Sequence, residues 1–168
     1  MKKLVLALVL IGAISCQQEK IAFVDNVKLM DTYQEKVDIE AKFKTRTETF
    51  GKKRDSISQA FQMEAQAFQA KAQKMAQAKA QEEYGQLQQR SQFIGQQLQQ
   101  EEQQLQMQGQ TEMDSLVSKV KSEIKAYGES NGYSFILTGG DGGSVLYGKE
   151  AHNVTDAIVK ILNDNYKK

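Results

Sequence analysis

The chain has 168 residues, with 22 basic and 21 acidic side chains and a net charge of +1. That balance argues against a dedicated nucleic-acid binder, which draws its affinity from a strong basic excess. There is one cysteine and no proline, so no disulfide framework holds the fold, which must rest on packing or on oligomerisation.

The first segment, residues 1–15, reads as a secretory signal. Lys2 and Lys3 precede an apolar run from Leu4 to Ile14, and Gly12, Ala13 and Ser15 bring small residues to its end. The run is far shorter than the about 20 residues of a spanning helix. The cysteine, Cys16, follows directly. The tetrapeptide "AISC" resembles the lipobox of bacterial lipoproteins, which implies lipidation at Cys16 and a membrane anchor. Gln17 at the second mature position points to the outer rather than the inner membrane, by a sorting rule that varies among bacteria. The alternative is an incidental thiol in a discarded leader. No later segment is apolar enough to span a membrane.

Residues 16–28 then hold an anchor linker and a first strand, "KIAFVD" (Lys20–Asp25), in which β-branched and aromatic residues cluster. Residues 29–127 are predicted to be helical, being rich in Ala, Gln, Glu and Lys. Phe43, Phe50 and Ile57 are spaced by seven, as are Phe61, Phe68 and Met75. Leu87 and Ile94, and Leu98 and Leu105, repeat that spacing further on, and Met113, Leu116, Val120, Ile124 and Tyr127 keep a three–four rhythm. This is a thin seam of coiled-coil type. Thr47, Arg54, Glu64 and Lys71 interrupt it, and Gly51, Gly85, Gly95 and Gly109 lie within it. The competing reading is a disordered Gln-rich linker, since 20 glutamines fall between Gln59 and Gln110; the persistent apolar spacing favours the helix.

Charge favours folding this helix back on itself near residue 79. Lys42, Lys44, Arg46, Lys52, Lys53 and Arg54 lie in the first half; Glu82, Glu83, Glu101, Glu102, Glu112 and Asp114 lie in the second. A turn near 79 sets Arg46 level with Glu112 and Arg54 near Glu101–Gln104. Each arm would then be about 70 Å long.

Residues 128–168 read strand, turn, strand, helix. "YSFIL" and "SVLYG" flank "TGGDGG" and predict a β-hairpin, and "NVTDAIVKILNDNY" predicts a final helix with Asn153 as a cap. Three short strands bury too little apolar surface alone, so pairing with further copies of the chain is expected.

No chemistry-bearing constellation emerges. The glycine loop lacks the G-K-[ST] ending of a phosphate loop, because Gly148-Lys149 is followed by Glu150. His152 is the sole histidine and makes no zinc site without spaced partners. Asp25 and Asp31 suit the start of the first helix. Neither a catalytic residue, a metal nor a cofactor is expected. Phe43, Phe50, Ile57, Phe61, Phe68, Met75, Leu87, Ile94 and Leu98 are candidates for a partly exposed apolar binding surface, and their other role is packing in the seam. Met63, Met75, Met107 and Met113 among the glutamines form a soft surface suited to varied partners.

"KIAFVD" followed by "NVKLMDTYQE", the long helical region, "YGESNGYSFILTGGDGGSVLYG" and "HNVTDAIVKILN" together resemble the Skp/OmpH-type periplasmic chaperones. The resemblance implies an α+β fold: a small β-body shared between subunits, with one long antiparallel helical hairpin per chain, in a homotrimer whose arms surround a cavity. It implies an ATP-independent holdase for unfolded outer-membrane proteins, not an enzyme, in the periplasm. Ile21, Phe23, Phe135, Leu137, Val145 and Tyr147 are then the candidates for the oligomeric body. The alternative function is a membrane-anchored coiled-coil structural tether. Only about four residues separate Cys16 from Ile21, a reach of roughly 15 Å, so the body is expected close to the membrane, with no nucleic-acid partner.

Overall fold

The structure, a computed structural model, describes residues 19–167; the leader and Cys16 lie outside them. In chain order it contains β1 (Ile21–Asp25), α1 (Asn26–Thr32), α2 (Gln34–Ala72), α3 (Gln77–Ser130), β2 (Phe135–Gly139), a 3₁₀ turn (Glu150–His152) and α4 (Thr155–Tyr166). The described residues are thus mostly helical with one two-stranded sheet, the α+β class expected. They form two compact units. One, the body, takes residues 19–32 and 120–167; the other, the arm, is Tyr33–Lys119. Residues 29–32 and 120–127, expected in the arm, therefore count with the body.

In the body, β1 and β2 run parallel, with Ile21 opposite Phe135, Phe23 opposite Leu137 and Asp25 opposite Gly139. Alternation along β1 buries Ala22 and Val24, because successive strand side chains point to opposite faces. Leu29, Val120, Val154, Ile158 and Leu162 complete the buried apolar set of this unit. Ile158 and Leu162 form the core-facing stripe of α4, and Val154, just before the helix, continues it at the same four-residue spacing. Burying each of the larger aliphatic side chains stabilises the fold by about 1.5–3 kcal/mol.

Polar side chains fix where the elements begin. Asp25 Oδ1 accepts from the Lys28 backbone N–H at 2.9 Å and so starts α1 as an N-terminal cap. The Asp25 N–H donates to the hydroxyl of Thr155 at 2.9 Å, a side chain with no exposed surface. That hydroxyl donates in turn to Asn153 Oδ1 at 2.5 Å. Asn153 Oδ1 also accepts from the Thr155 N–H at 3.1 Å, so it satisfies an amide at the start of α4 as expected. Lys28 pairs with Asp156 at 2.7 Å, and α1 packs on α4.

The predicted hairpin is corrected by the structure. The segment after the glycine loop forms no strand in the single chain: Val145 makes one isolated bridge to Gly139, its N–H donating to the Thr138 carbonyl at 3.0 Å. The reason lies in the loop. Gly140 and Gly142 have positive φ, and a Cβ on Gly143 would lie 2.6 Å from the Thr138 carbonyl oxygen. The chain folds tightly over the end of β2 instead of running back beside it.

In the arm, Tyr33 is extended (φ −77, ψ 112) and splits the single helix predicted from Leu29. Its ring is fully buried, and its hydroxyl donates to Glu35. Helices α2 and α3 are joined at residues 73–76, a few residues before the predicted fold-back near 79. There the Lys74 and Met75 N–H groups donate to the Lys71 and Ala72 carbonyls, and Lys71 complements the negative end of α2.

Candidate functional site

Eight of the nine arm residues expected to touch clients lie along the line where α2 faces α3. Phe50 is the most enclosed, at 8% exposed; the other eight are half-buried. Phe50 shares a groove with Leu105. Ile57 and Phe61 meet Ile94 and Leu98 around a groove of about 410 Å³. Phe68 lies beside Leu87 and stacks on Tyr84 with centroids 6.2 Å apart. Phe43 covers Gly109, where a Cβ would come within 2.6 Å of its ring. Met75 sits in the connecting turn.

Ion pairs fix the register of this seam. Arg46 donates to both carboxylate oxygens of Glu112, at 2.9 and 2.6 Å, the level predicted from the charge pattern. Lys53, rather than its neighbour Arg54, reaches Glu101 at 2.5 Å; Arg54 pairs with Asp55 at 3.4 Å. Arg90 meets Glu64 at 2.6 Å, and Lys119 meets Glu35 at 2.6 Å. The Arg46 hydrogen bond, assisted by the charges of Arg46 and Lys42, holds the Glu112 carboxyl below the usual carboxylate range against the opposing effect of burial. Burial pushes the Glu35 carboxyl up, but hydrogen bonds from Lys119 and Tyr33, with the charges of Lys119 and Lys42, outweigh it and leave it lowered. Such part-exposed pairs are each worth under about 1 kcal/mol, so they specify alignment more than stability.

Other apolar side chains of the arm face water. Met63 is 65% exposed, Met107 64% and Phe93 63%, with Tyr84 and Val37 also exposed. Met63 and Met107 belonged to the soft surface read from the sequence. Phe93, Tyr84 and Val37 were missed; the available signal was that Phe93 precedes the seam residue Ile94 and so falls off the seven-residue spacing. Met75 and Met113 are half-buried instead.

The body presents a second apolar surface. Ile21, Phe135 and Leu137 are exposed on the sheet face opposite Ala22 and Val24, and Phe23 and Val145 are half-buried there. Tyr147 is 84% exposed, and its neighbour Leu146, absent from the sequence-based set, is 99% exposed. With Phe23 and Leu137, these side chains line an open groove of about 690 Å³. His152 Nδ1 lies 3.1 Å from the Ile21 carbonyl oxygen, which gives it a structural position. The glycine loop closes on Asp25, whose carboxylate a Cβ at Gly140 would strike, as suits a tight turn. Among the described residues, no cluster of three or more His, Cys, Asp or Glu could hold a metal, and no helix is long and apolar enough to cross a membrane.

A long two-helix excursion inserted between two parallel strands of a small sheet defines an α+β protein with a helical-hairpin arm. The model of the family described as "Outer membrane protein (OmpH-like)" matches residues 20–162, and the chain belongs to that family. Its fold is similar to that of a Caulobacter crescentus protein whose crystal structure is described as that of an OmpH-like outer membrane chaperone: TM-score 0.76 at 17% identity, covering 88% of this chain and 85% of that one. No curated protein matches. The family is non-enzymatic, in agreement with the reading that this chain is not an enzyme.

Proposed function

We propose that this protein is an ATP-independent periplasmic holdase that binds unfolded outer-membrane proteins between the arms of a homotrimer. The observation that carries the reading is the arm itself: it bears apolar side chains along both helices and fully encloses few of them. Tyr33, Phe50 and Leu116 are the buried hydrophobic residues of that unit. A structural tether needs no such half-open apolar surface. Membership of the OmpH-like family supports the chaperone class. The exposed sheet face of Ile21, Phe135 and Leu137 supports a shared β-body, in which its occupant is the same face of further copies. Lipidation at Cys16 holds the trimer at the outer membrane by three anchors, which together resist release far better than one.

The test is suppression of aggregation of a urea-unfolded β-barrel protein, diluted into the mature chain at near-stoichiometric amounts without nucleotide, with a native mass measurement alongside. Suppression by a species three times the chain mass is expected. No suppression returns the reading to a tether, and a monomer at micromolar concentration removes the shared body. For the anchor, Cys16→Ser is expected to abolish incorporation of radiolabelled fatty acid; label retained in the variant refutes lipidation there.

A further inference from the structure

The outward face of α3 carries a pattern that the seam does not explain. Phe93 and Met107 are 14 positions apart and both about two-thirds exposed. Fourteen residues are nearly four whole helical turns, so the two lie on one side of the helix. Gln89, Gln96, Gln97 and Gln100 share that side and are exposed. Between Gln86 and Gln110 the ionisable side chains that flank this strip pair elsewhere: Arg90 reaches Glu64 and Glu101 reaches Lys53. Glu102 falls on the far flank of the helix, about half a turn from Phe93. What remains is a strip of amides around two apolar anchors, free of charge over about 36 Å. Among the described residues, the amides of Gln89, Gln96, Gln97 and Gln100 have no side-chain partner in the chain.

We infer that this strip is the surface on which the arm grips an extended, unfolded polypeptide, through glutamine hydrogen bonds to its backbone on either side of Phe93 and Met107. The inference rests on the holdase reading and adds to it where and how the client is held. An unfolded β-barrel chain offers unpaired N–H and C=O groups along its whole length. A glutamine amide both donates and accepts, whereas a carboxylate only accepts and an ammonium only donates. Amides therefore match a peptide backbone whatever side chains it bears, and an uncharged strip does not select clients by sign. At about 3.4 Å per residue the strip spans some ten residues of extended chain. Each exchange of water for such a bond yields little net free energy, which suits a grip that must be released.

Other occupants fit less well. An anionic membrane surface is attracted by clustered Lys and Arg, which this strip lacks. A second arm of the same protein needs an unbroken apolar repeat, and Gln100 stands midway between Phe93 and Met107.

The test places a photo-crosslinking amino acid at Phe93, Gln100 or Met107 of the full mature chain. Matched controls sit at Glu48 and Lys52, exposed positions on α2. Each is mixed with a urea-unfolded β-barrel outer-membrane protein on dilution. Adducts to the client are expected to be at least about fivefold stronger from the three strip positions. A second variant, Q89A/Q96A/Q100A, keeps the face uncharged and favours helix; its affinity for the same client is expected to fall at least about fivefold with helix content unchanged. Equal crosslinking from Glu48 and Lys52, adducts to a second copy of the chain, or unchanged affinity of the triple variant overturns the inference while the holdase reading stands. Failure of the unsubstituted chain to retain any client removes both.

Discussion

Four glycines interrupt the paired helices of the arm, and the structure separates them into two kinds. A glycine inside a helix costs about 1 kcal/mol relative to alanine. At Gly51, Gly85 and Gly95 an added Cβ meets no atom within 4 Å, so alanine should recover that amount, equivalent to about a fivefold shift in a local opening equilibrium. At Gly109 the same Cβ would lie 2.6 and 2.8 Å from two ring carbons of Phe43. Overpacking of that kind costs about 1–3 kcal/mol, enough to cancel or reverse the gain. The assay is amide hydrogen exchange on the full mature chain, which reads each helix locally and does not require the two units to unfold in one step. Protection around positions 51, 85 and 95 should rise about fivefold in the respective alanine variants. Gly109→Ala should leave protection unchanged or lower it, and the gain should return in the F43A background. If Gly109→Ala protects the arm as much as Gly51→Ala, Phe43 does not rest on Gly109 and the alignment of the two helices is wrong.

Three further outcomes are expected. Glu112 and Glu35 are both held below the usual carboxylate range. The stability they add is therefore full above that range and lost as the pH falls through their lowered values. Arm protection should decline below about pH 4, and E112Q should flatten the decline; an arm whose protection is insensitive to acid contradicts the pairing. Thr155→Val leaves the Asp25 N–H without its buried acceptor, which should lower full-chain stability by about 1–3 kcal/mol, read as a reduced urea midpoint with an unchanged slope. Phe135→Asp sets a charge on the exposed sheet face and should reduce the assembly to monomers in native mass measurements; an unaltered oligomer means that the face is not the interface.

The sequence makes legible what local pattern encodes. The first strand, the α2–α3 pairing and the Arg46–Glu112 level follow from β-branched content, seven-residue spacing and opposed charge. Long-range pairing is different. Nothing in "IAFVD" or "YSFIL" specifies that they lie parallel across more than 100 intervening residues, because strand propensity describes a half-buried surface and not its neighbour. The glycine loop misled for a related reason: its positive-φ residues serve a turn, but a turn does not guarantee a returning strand. The connection at residues 73–76 left no signal because it is built without glycine and without any positive-φ residue; Gln73 itself is helical in φ and ψ. Phe93 was hidden by Ile94 beside it, since spacing finds the residues of a stripe and passes over an aromatic one position off it.

On the holdase reading, two kinds of apolar group in the arm are candidates for the grip, and they should respond oppositely to stiffening. The seam residues Phe61, Phe68, Leu87, Ile94 and Leu98 are half-buried and would become fully accessible only if α2 and α3 parted. Phe93 and Met107 are exposed with the helices closed. The triple variant G51A/G85A/G95A should make local parting rarer by a factor that multiplies only where the sites open together. If the seam carries the grip, that variant should bind an unfolded β-barrel protein more weakly than the natural chain. If the outward strip carries it, affinity should hold or rise, since a pre-formed helix presents its amides at lower entropic cost. The outward reading predicts the second result, and weakened binding by the stiffened arm would return the client to the seam.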